Sequence, residues 1–347
     1  VTSRSGTRMT TRERFRETMG YGRPDRVPYF EEGIRSEVIR VWRRQGLPPC
    51  CEPSKLFPCD RWERVRLDLE PRPAPVQWPA TLSEAEALRR LLDPADKSRL
   101  PRKWKSSVRR WRTRDHVLLL YVHRGLFQTL GVQDWTRFEQ VMVLLARRPE
   151  VAERIMNIQA EFATALLERV LAEVEVDAVV FSEPIGGNDR PLISPRMYEQ
   201  IVLSSFEPLL RLFERHKVRT LIFQTFANAR ILIPSVLKRG INCLWACEVN
   251  IDAMDYRRIR GEYGRDLRLI GGIDLDTLRD GREAIRKEIE DKVPPLLSDG
   301  GYIPLADGRV REDVKFDHYA YYRQLLQQVI DRHAGKKGGL FTAPHSG

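Results

Sequence analysis

The sequence predicts an α/β protein of the (β/α)8, TIM-barrel class, and three observations carry that prediction. Short apolar runs alternate with longer amphipathic runs along most of the 347 residues. About eight of the short runs can be counted, mostly separated by helical patterns, which is the arithmetic of strands and helices closing a barrel. No G-x-G-x-x-G or Walker A motif follows any of them, so the competing doubly wound nucleotide-binding sheet lacks its usual signature.

Taken in order, Thr10 and Glu13 have the spacing of a capping box, and Phe15 and Met19 continue one apolar face of a short N-terminal helix. "GRPDRVPYF" breaks that helix, and "RVPYF" is the first strand-like run, ending at Glu31 and Glu32. "SEVIRVWRRQG" puts Val38, Val41 and Trp42 on one stripe and stops at Gly46, a natural C-cap. A weaker strand-like run lies around residues 65–69. Five clear runs follow, in "HVLLLYVHRG", "VDAVVFSEP", "RTLIFQT", "INCLWACE" and "LRLIGGID", and "GGYIPLADG" completes the series.

Helices are expected over residues 149–172, 195–216, 229–239, 253–263, 282–293 and 317–333. In the second of these Tyr198, Ile201, Val202, Phe206, Leu209 and Phe213 recur at helical spacing, so one face should lie on a sheet. Residues 10–334 are read as a single barrel domain between a flexible N-terminus (1–9) and a flexible tail (335–347). An insertion of about residues 76–115 carries the dense basic stretch of residues 93–115, with Trp104 and Trp111 interleaved. It reads as a solvated helix between strands, with nucleic-acid or phosphate binding as the alternative.

Composition sets the outer limits. A hydrophobic share of 42% with 31% charged residues is that of a globular chain with a large core. No apolar run approaches the ~18 residues of a membrane span, and a cytoplasmic location is expected. Cys50, Cys51, Cys59, Cys243 and Cys247 form no regular framework, as where thiols stay reduced. Cys243 and Cys247 would lie about 13 Å apart on a strand, too far to share one ion. The net charge of +11 suits an anionic ligand, an acidic partner or nucleic acid.

In a barrel, catalytic groups belong at the C-terminal ends of strands. That rule selects Glu31 and Glu32, His123 and Arg124, Ser182 and Glu183, then Gln224, Thr225 and Asn228, Cys247 and Glu248, Asp274, and finally Asp307 and Arg309. Glu183, Glu248, Asp274 and Asp307 each follow an apolar run directly. Carboxylates gathered at one mouth would raise one another's pKa and favour a general acid, or would bind a cation.

Several stretches resemble the uroporphyrinogen decarboxylase superfamily. "TTRERFRETMGYGRPDRVPYFE" is similar to its opening helix and Asp-Arg-Val-Pro turn. "FSEPIGGNDRPLISPRMYEQIVLSSFEPLLRLF" resembles its strand-four region, and "GEYGRDLRLIGGIDLDTL" and "GGYIPLADGRVREDVKFDHYAYY" its last two strand-and-helix units. The likeness runs from Met9 to about Asp331.

That resemblance implies one of two chemistries. The porphyrinogen decarboxylases hold a tetrapyrrole with an Arg-rich N-terminal motif, absent from "YFEEGIRSEVIRVW", and with an Asp whose counterpart here is Asp60. The other branch moves a methyl group to or from a corrinoid on a partner protein, often through zinc held by a His-x-Cys pair and a later Cys. Gln224 and Phe226 stand at the pair's positions and Asp307 at the later Cys, so no zinc is expected at that site.

The resemblance therefore implies a methyltransferase acting on a small oxygen-bearing substrate. Glu183 and Asp307 would handle protons, and Gln224, Asn228 and Glu248 would orient the substrate. His123 or Arg124 would meet an anionic end. A decarboxylase is the first alternative. A non-catalytic binding protein docking through Lys103, Arg109 and Arg110 is the second.

Overall fold

The computed structural model describes residues 9–48, 53–249 and 252–339. Seven strands follow one another in the sheet in chain order: β1 (Trp62–Arg66), β2 (Val117–His123), β3 (Ala178–Glu183), β4 (Leu221–Phe226), β5 (Cys243–Cys247), β6 (Arg268–Ile273) and β7 (Tyr302–Ala306). The pairs β2–β3, β3–β4 and β6–β7 are parallel. Parallel neighbours joined through helices make this the expected α/β, TIM-barrel-like class. No helix of the described residues is long and apolar enough to cross a membrane. Cys50, Cys51, most of the N-terminal stretch and residues 340–347 lie outside the described residues.

The chain divides into two compact units, Glu63–Trp245 and a second made of Val1–Trp62 with Ala246–Gly347. In the first, β2 is buried along its whole length, as its unbroken apolar sequence requires. The 25-residue helix Pro149–Glu173 starts with proline at its first turn and buries a stripe from Val151 to Leu171. Asp177, just before β3, accepts from Arg114 Nη2 and from the Leu118 N–H, both at 2.9 Å, and so fixes where the β2–β3 pair begins.

The basic stretch folds as a helix, Trp104–Arg112, whose Trp104, Val108 and Trp111 face inward. The two indoles pack edge to face at 5.5 Å. Their burial, worth about 2–3 kcal/mol each, is what holds this charged helix down. Arg99 is buried too, its guanidinium donating to the carbonyls of Asp68, Glu70, Leu91 and Asp93.

In the second unit a capping box of Thr10 and Glu13 starts the helix Thr11–Met19, as its spacing predicts. The helices Arg282–Asp299 and Phe316–Gly339 pack together beside β6 and β7. The latter helix extends past residue 335, where the sequence suggests a tail. Glu31 is buried on Arg323 Nη1 (2.8 Å) and Tyr319 Oη (3.2 Å). Burial pushes its pKa up, against the pull of Arg323.

Three expected elements differ. "RVPYF" is extended but joins no sheet: Pro28 has no N–H to give, and the Tyr29 N–H is taken by Asp60 Oδ2 (2.8 Å) while its carbonyl accepts the Asp60 N–H (2.9 Å). The helix expected over 195–216 is broken into a short turn, a π turn over Tyr198–Val202, a 3-10 turn and the helix Glu207–Arg215. The helix expected to stop at residue 293 continues through Pro294 and Pro295 to Asp299.

Candidate functional site

Within Glu63–Trp245 the C-terminal ends of β2 and β3 build one polar constellation. His123 ends β2 and Glu183 ends β3, and the register carries β3 forward so that the two side chains meet. His123 Nε2 lies 3.0 Å from Glu183 Oε2, and Glu183 is fully buried. The other carboxylate oxygen, Oε1, accepts the Leu126 N–H at 2.8 Å, and the Glu183 carbonyl accepts from Thr225 Oγ1 at 3.1 Å. A buried carboxylate survives only with such donors. The imidazole is held edge-on by Phe206, 4.9 Å between centroids.

Gly125 makes this arrangement possible. It has φ +98, and an added Cβ would fall 2.7 Å from Gln128 Oε1, 2.8 Å from Pro184 Cδ and 3.2 Å from Glu183 Oε1. Behind the carboxylate stands Tyr198, wholly buried. Burial, reinforced by the charge of Glu183, holds its phenol pKa well above the ordinary value.

In front of His123 opens a cavity of about 280 Å³ whose lining includes Arg66, Tyr121, His123, Arg124, Gln128 and Ser182. Arg66 lies flat over the Tyr121 ring at 3.7 Å, and Arg124 pairs with Glu70 at 2.7 Å. The lining thus offers two guanidinium groups, an imidazole and a hydroxyl, with Asp68 and Glu70 as counter-charges. Gln224 is buried and in register with Ser182.

The second unit gathers its own strand-end carboxylates. Asp307 accepts the Val249 N–H on Oδ2 (2.9 Å) and the Leu275 N–H on Oδ1 (3.0 Å), and its carbonyl accepts the Glu248 N–H (2.7 Å). It therefore clips the chain after β5 and β6 to the end of β7. Burial pushes its pKa up to about 6, with Asp274 and Asp276 adding to the rise and the two N–H bonds opposing it. Burial also raises the pKa of Asp274, whose Oδ1 accepts the Asp276 N–H. Glu248 sits at φ +46, a strained setting for a side chain, half exposed and 3.9 Å from Arg311.

Several expected site residues are placed otherwise. Asp60 is engaged by the protein itself: its two oxygens accept from Arg26, Thr11 and the Tyr29 N–H, with Arg14 at 3.5 Å. Although burial works against ionisation, these donors keep its pKa below the ordinary value. Asn228 joins two loops, its Nδ2 donating to the Asp189 carbonyl after β3 (2.7 Å) and its Oδ1 accepting the Arg230 N–H of its own loop (3.2 Å). Glu183 has no route to a ligand except through His123. Arg66 ends β1 and escapes notice because the sequence places that strand around residues 65–69, while Tyr121, Gly125, Gln128 and Tyr198 escape a strand-end rule. Of these, Gly125 directly after "VHR" is the one that carried a sequence signal.

The resemblance puts Gln224, Phe226 and Asp307 where zinc ligands would be expected. Gln224 offers a neutral amide, Phe226 offers nothing, and both oxygens of Asp307 are engaged by backbone N–H groups. No group of three or more His, Cys, Asp or Glu is placed to hold a metal ion among the described residues.

A family model described as uroporphyrinogen decarboxylase (URO-D) matches residues 132–304. The span includes Glu183, Gln224, Asn228 and Glu248, begins after His123 and ends before Asp307. No curated protein sequence matches. Among solved structures, a methyltransferase from Methanosarcina mazei is similar with TM-score 0.55 at 14% identity, over 93% of this chain and 99% of that one. At that identity the likeness speaks for the fold. An uronate isomerase from Bacillus halodurans C-125 aligns at TM-score 0.35 and 12% identity, over 76% of this chain and 63% of that one, and nothing rests on it.

Proposed function

The chain belongs to the uroporphyrinogen decarboxylase superfamily, and from that premise we propose that it is an enzyme moving a methyl group between a small oxygen-bearing substrate and a corrinoid carried by a partner protein. The observation that supports this reading best is the His123–Glu183 pair at 3.0 Å, with the imidazole lining a cavity and the carboxylate sealed behind it. A buried carboxylate fixes the orientation of the ring, which is how a histidine becomes a directed proton donor.

In this reading Glu183 takes the Nε2 side of the ring, leaving Nδ1 for the substrate. A corrinoid, when bound on its partner, would supply the electron pair that takes up the methyl group. As the C–O bond of a methyl ether breaks, its electron pair stays on oxygen, and His123 gives that oxygen its proton. Arg124 and Arg66 bind an anionic end of the substrate, and Ser182 and Gln224 orient its polar groups. Glu183, expected from the sequence to act on substrate itself, is a positioning residue here. Asp307, with its pKa near 6, is a second group able to hold a proton near neutrality.

A carboxy-lyase acting on a porphyrinogen is the weaker reading. Asp60, the residue offered for pyrrole recognition, has its oxygens filled by protein donors. A cavity of about 280 Å³ also sits at the small end of the range for ligand sites.

The test is to incubate the purified protein with cob(I)alamin, as a soluble stand-in, and a panel of small methoxylated acids. Loss of the cob(I)alamin absorbance that depends on both protein and methyl donor is expected. Carbon dioxide release from uroporphyrinogen, with no corrinoid change for any donor, would overturn the assignment.

A further inference from the structure

Tyr21 follows the helix Thr11–Met19 at φ +55, with its ring laid against Gly301, where an added Cβ would come within 2.4 Å of it. Its hydroxyl donates to the Leu267 carbonyl (3.2 Å) and accepts from Arg260 Nη1 (3.0 Å). Three guanidinium groups surround this one ring: Arg265 at 4.4 Å from its centroid, Arg268 at 5.0 Å and Arg260 at 5.7 Å.

None of the three is neutralised by a carboxylate within salt-bridge distance among the described residues. Arg260 is 6% exposed, its Nη atoms donate to the carbonyls of Gly264 and Gly300, and its Nε has no hydrogen-bond partner. Arg268 Nε donates to the Met19 carbonyl. Of the other buried arginines, Arg14, Arg114 and Arg323 each meet an aspartate or glutamate, while Arg99 donates to four backbone carbonyls and faces no cluster of like charges. An aromatic face offsets only part of the repulsion among three like charges.

Beside this cluster lies a cavity of about 570 Å³, lined by Arg257, Arg260, Arg265, Ser298 and Asp299 among others. Arg257 is already tied to Asp255 at 3.0 Å, and Asp299 is a carboxylate of the lining. The site stands where the chain enters β6 and β7, the end opposite to Asp274 and Asp307.

We infer that this cavity binds a small phosphate-bearing molecule. A phosphate monoester carries about −1.5 to −2 charges at neutral pH, so one group offsets most of the excess that three arginines leave. Guanidinium forks match phosphate oxygens two at a time, and the volume falls within the ~300–1,000 Å³ of ligand sites. A single carboxylate brings half the charge and would leave the cluster positive. The site is independent of the methyl-transfer reading.

The test uses pyrophosphate, inorganic phosphate and succinate as probes on the full chain, with potassium chloride at matched ionic strength, followed by calorimetric titration and thermal melting. Saturable pyrophosphate binding with a rise in melting temperature of about 4 °C near a hundredfold excess over Kd is expected. Arg265→Gln, on an exposed residue, weakens it at least tenfold, and Arg265→Lys weakens it less. No saturable response to either phosphate probe, a response reproduced by chloride, or equal binding in Arg265→Gln would overturn the inference. Succinate binding as tightly as pyrophosphate would overturn the phosphate assignment.

Discussion

Replacing Asp307 by asparagine should change how stability depends on pH. The carboxyl rises from an ordinary 3.8 to about 6 in the folded protein, chiefly through burial. An acid raised on folding contributes stability that is complete below its unfolded value and lost as pH rises through its folded value. That distance corresponds to roughly 3 kcal/mol between strongly acidic and alkaline conditions. The asparagine side chain cannot ionise, but it keeps one acceptor where two N–H groups, those of Val249 and Leu275, need one each, at a cost of about 1 kcal/mol at every pH. The variant should therefore lie near the parent protein at pH 4.5, where about 1 kcal/mol of the effect has already been lost. It should be about 2 kcal/mol more stable at pH 8. Glu31, whose pKa is also raised, titrates in both proteins and drops out of the difference, while Asp274, coupled to Asp307, ionises more easily in the variant and adds to its gain at pH 8. Urea unfolding of both proteins at the two pH values measures it. Parallel behaviour, with a constant difference across pH, would refute the reasoning.

Gly125→Ala should cost more than about 2 kcal/mol, since φ +98 and contacts of 2.7–3.2 Å with Gln128, Pro184 and Glu183 leave no place for a methyl group. Thermal melting checks this, and a melting temperature within a degree of the parent would contradict it. Asp60→Asn should lose about 3 kcal/mol, because Arg26 would lose its carboxylate partner, while Arg14 would keep Asp25. Asp60 is held below the ordinary carboxylate range, so its contribution is present above its unfolded value and fades as pH falls. The deficit of the variant should shrink in acid. Neutralising Lys103, Arg109 and Arg110 together should leave stability within about 0.5 kcal/mol and turnover unchanged, as these are exposed residues outside the His123 cavity. A large loss of turnover would revive a role for the basic helix in catalysis.

How much of this was legible depended on whether a residue's fate is decided by its own neighbours in sequence. β2 to β7 were readable because each is a short, mainly apolar stretch, as buried parallel strands require. β1 was faint because "WERVR" alternates charge with a half-buried face. "RVPYF" misled because a side chain 31 residues away, that of Asp60, takes the Tyr29 N–H that a neighbouring strand would have used. The prolines at 294 and 295 looked like a stop, yet the helix runs through them.

The same rule divides the site. His123, Arg124, Ser182 and Glu183 could be named because a barrel presents its strand ends. Their roles could not be named, since which oxygen of Glu183 meets which nitrogen depends on the turn at Gly125 and the packing of Phe206. Asn228 and Asp60 have the right chemistry for binding and spend it on segments distant in sequence, Asp189 for the first and Thr11, Arg26 and Tyr29 for the second. The tryptophans of the basic stretch proved to be the anchor of its helix, a distinction that helical spacing at 104, 108 and 111 already contained.

The most direct measurement is the steady-state kinetics of His123→Gln and Glu183→Gln with whichever methyl donor the corrinoid screen identifies. If His123 hands over the proton and Glu183 holds it in place, kcat falls about 10²–10⁴-fold in the first variant, and substantially in the second, with KM little changed. A kcat for His123→Gln equal to that of the parent protein would contradict the account.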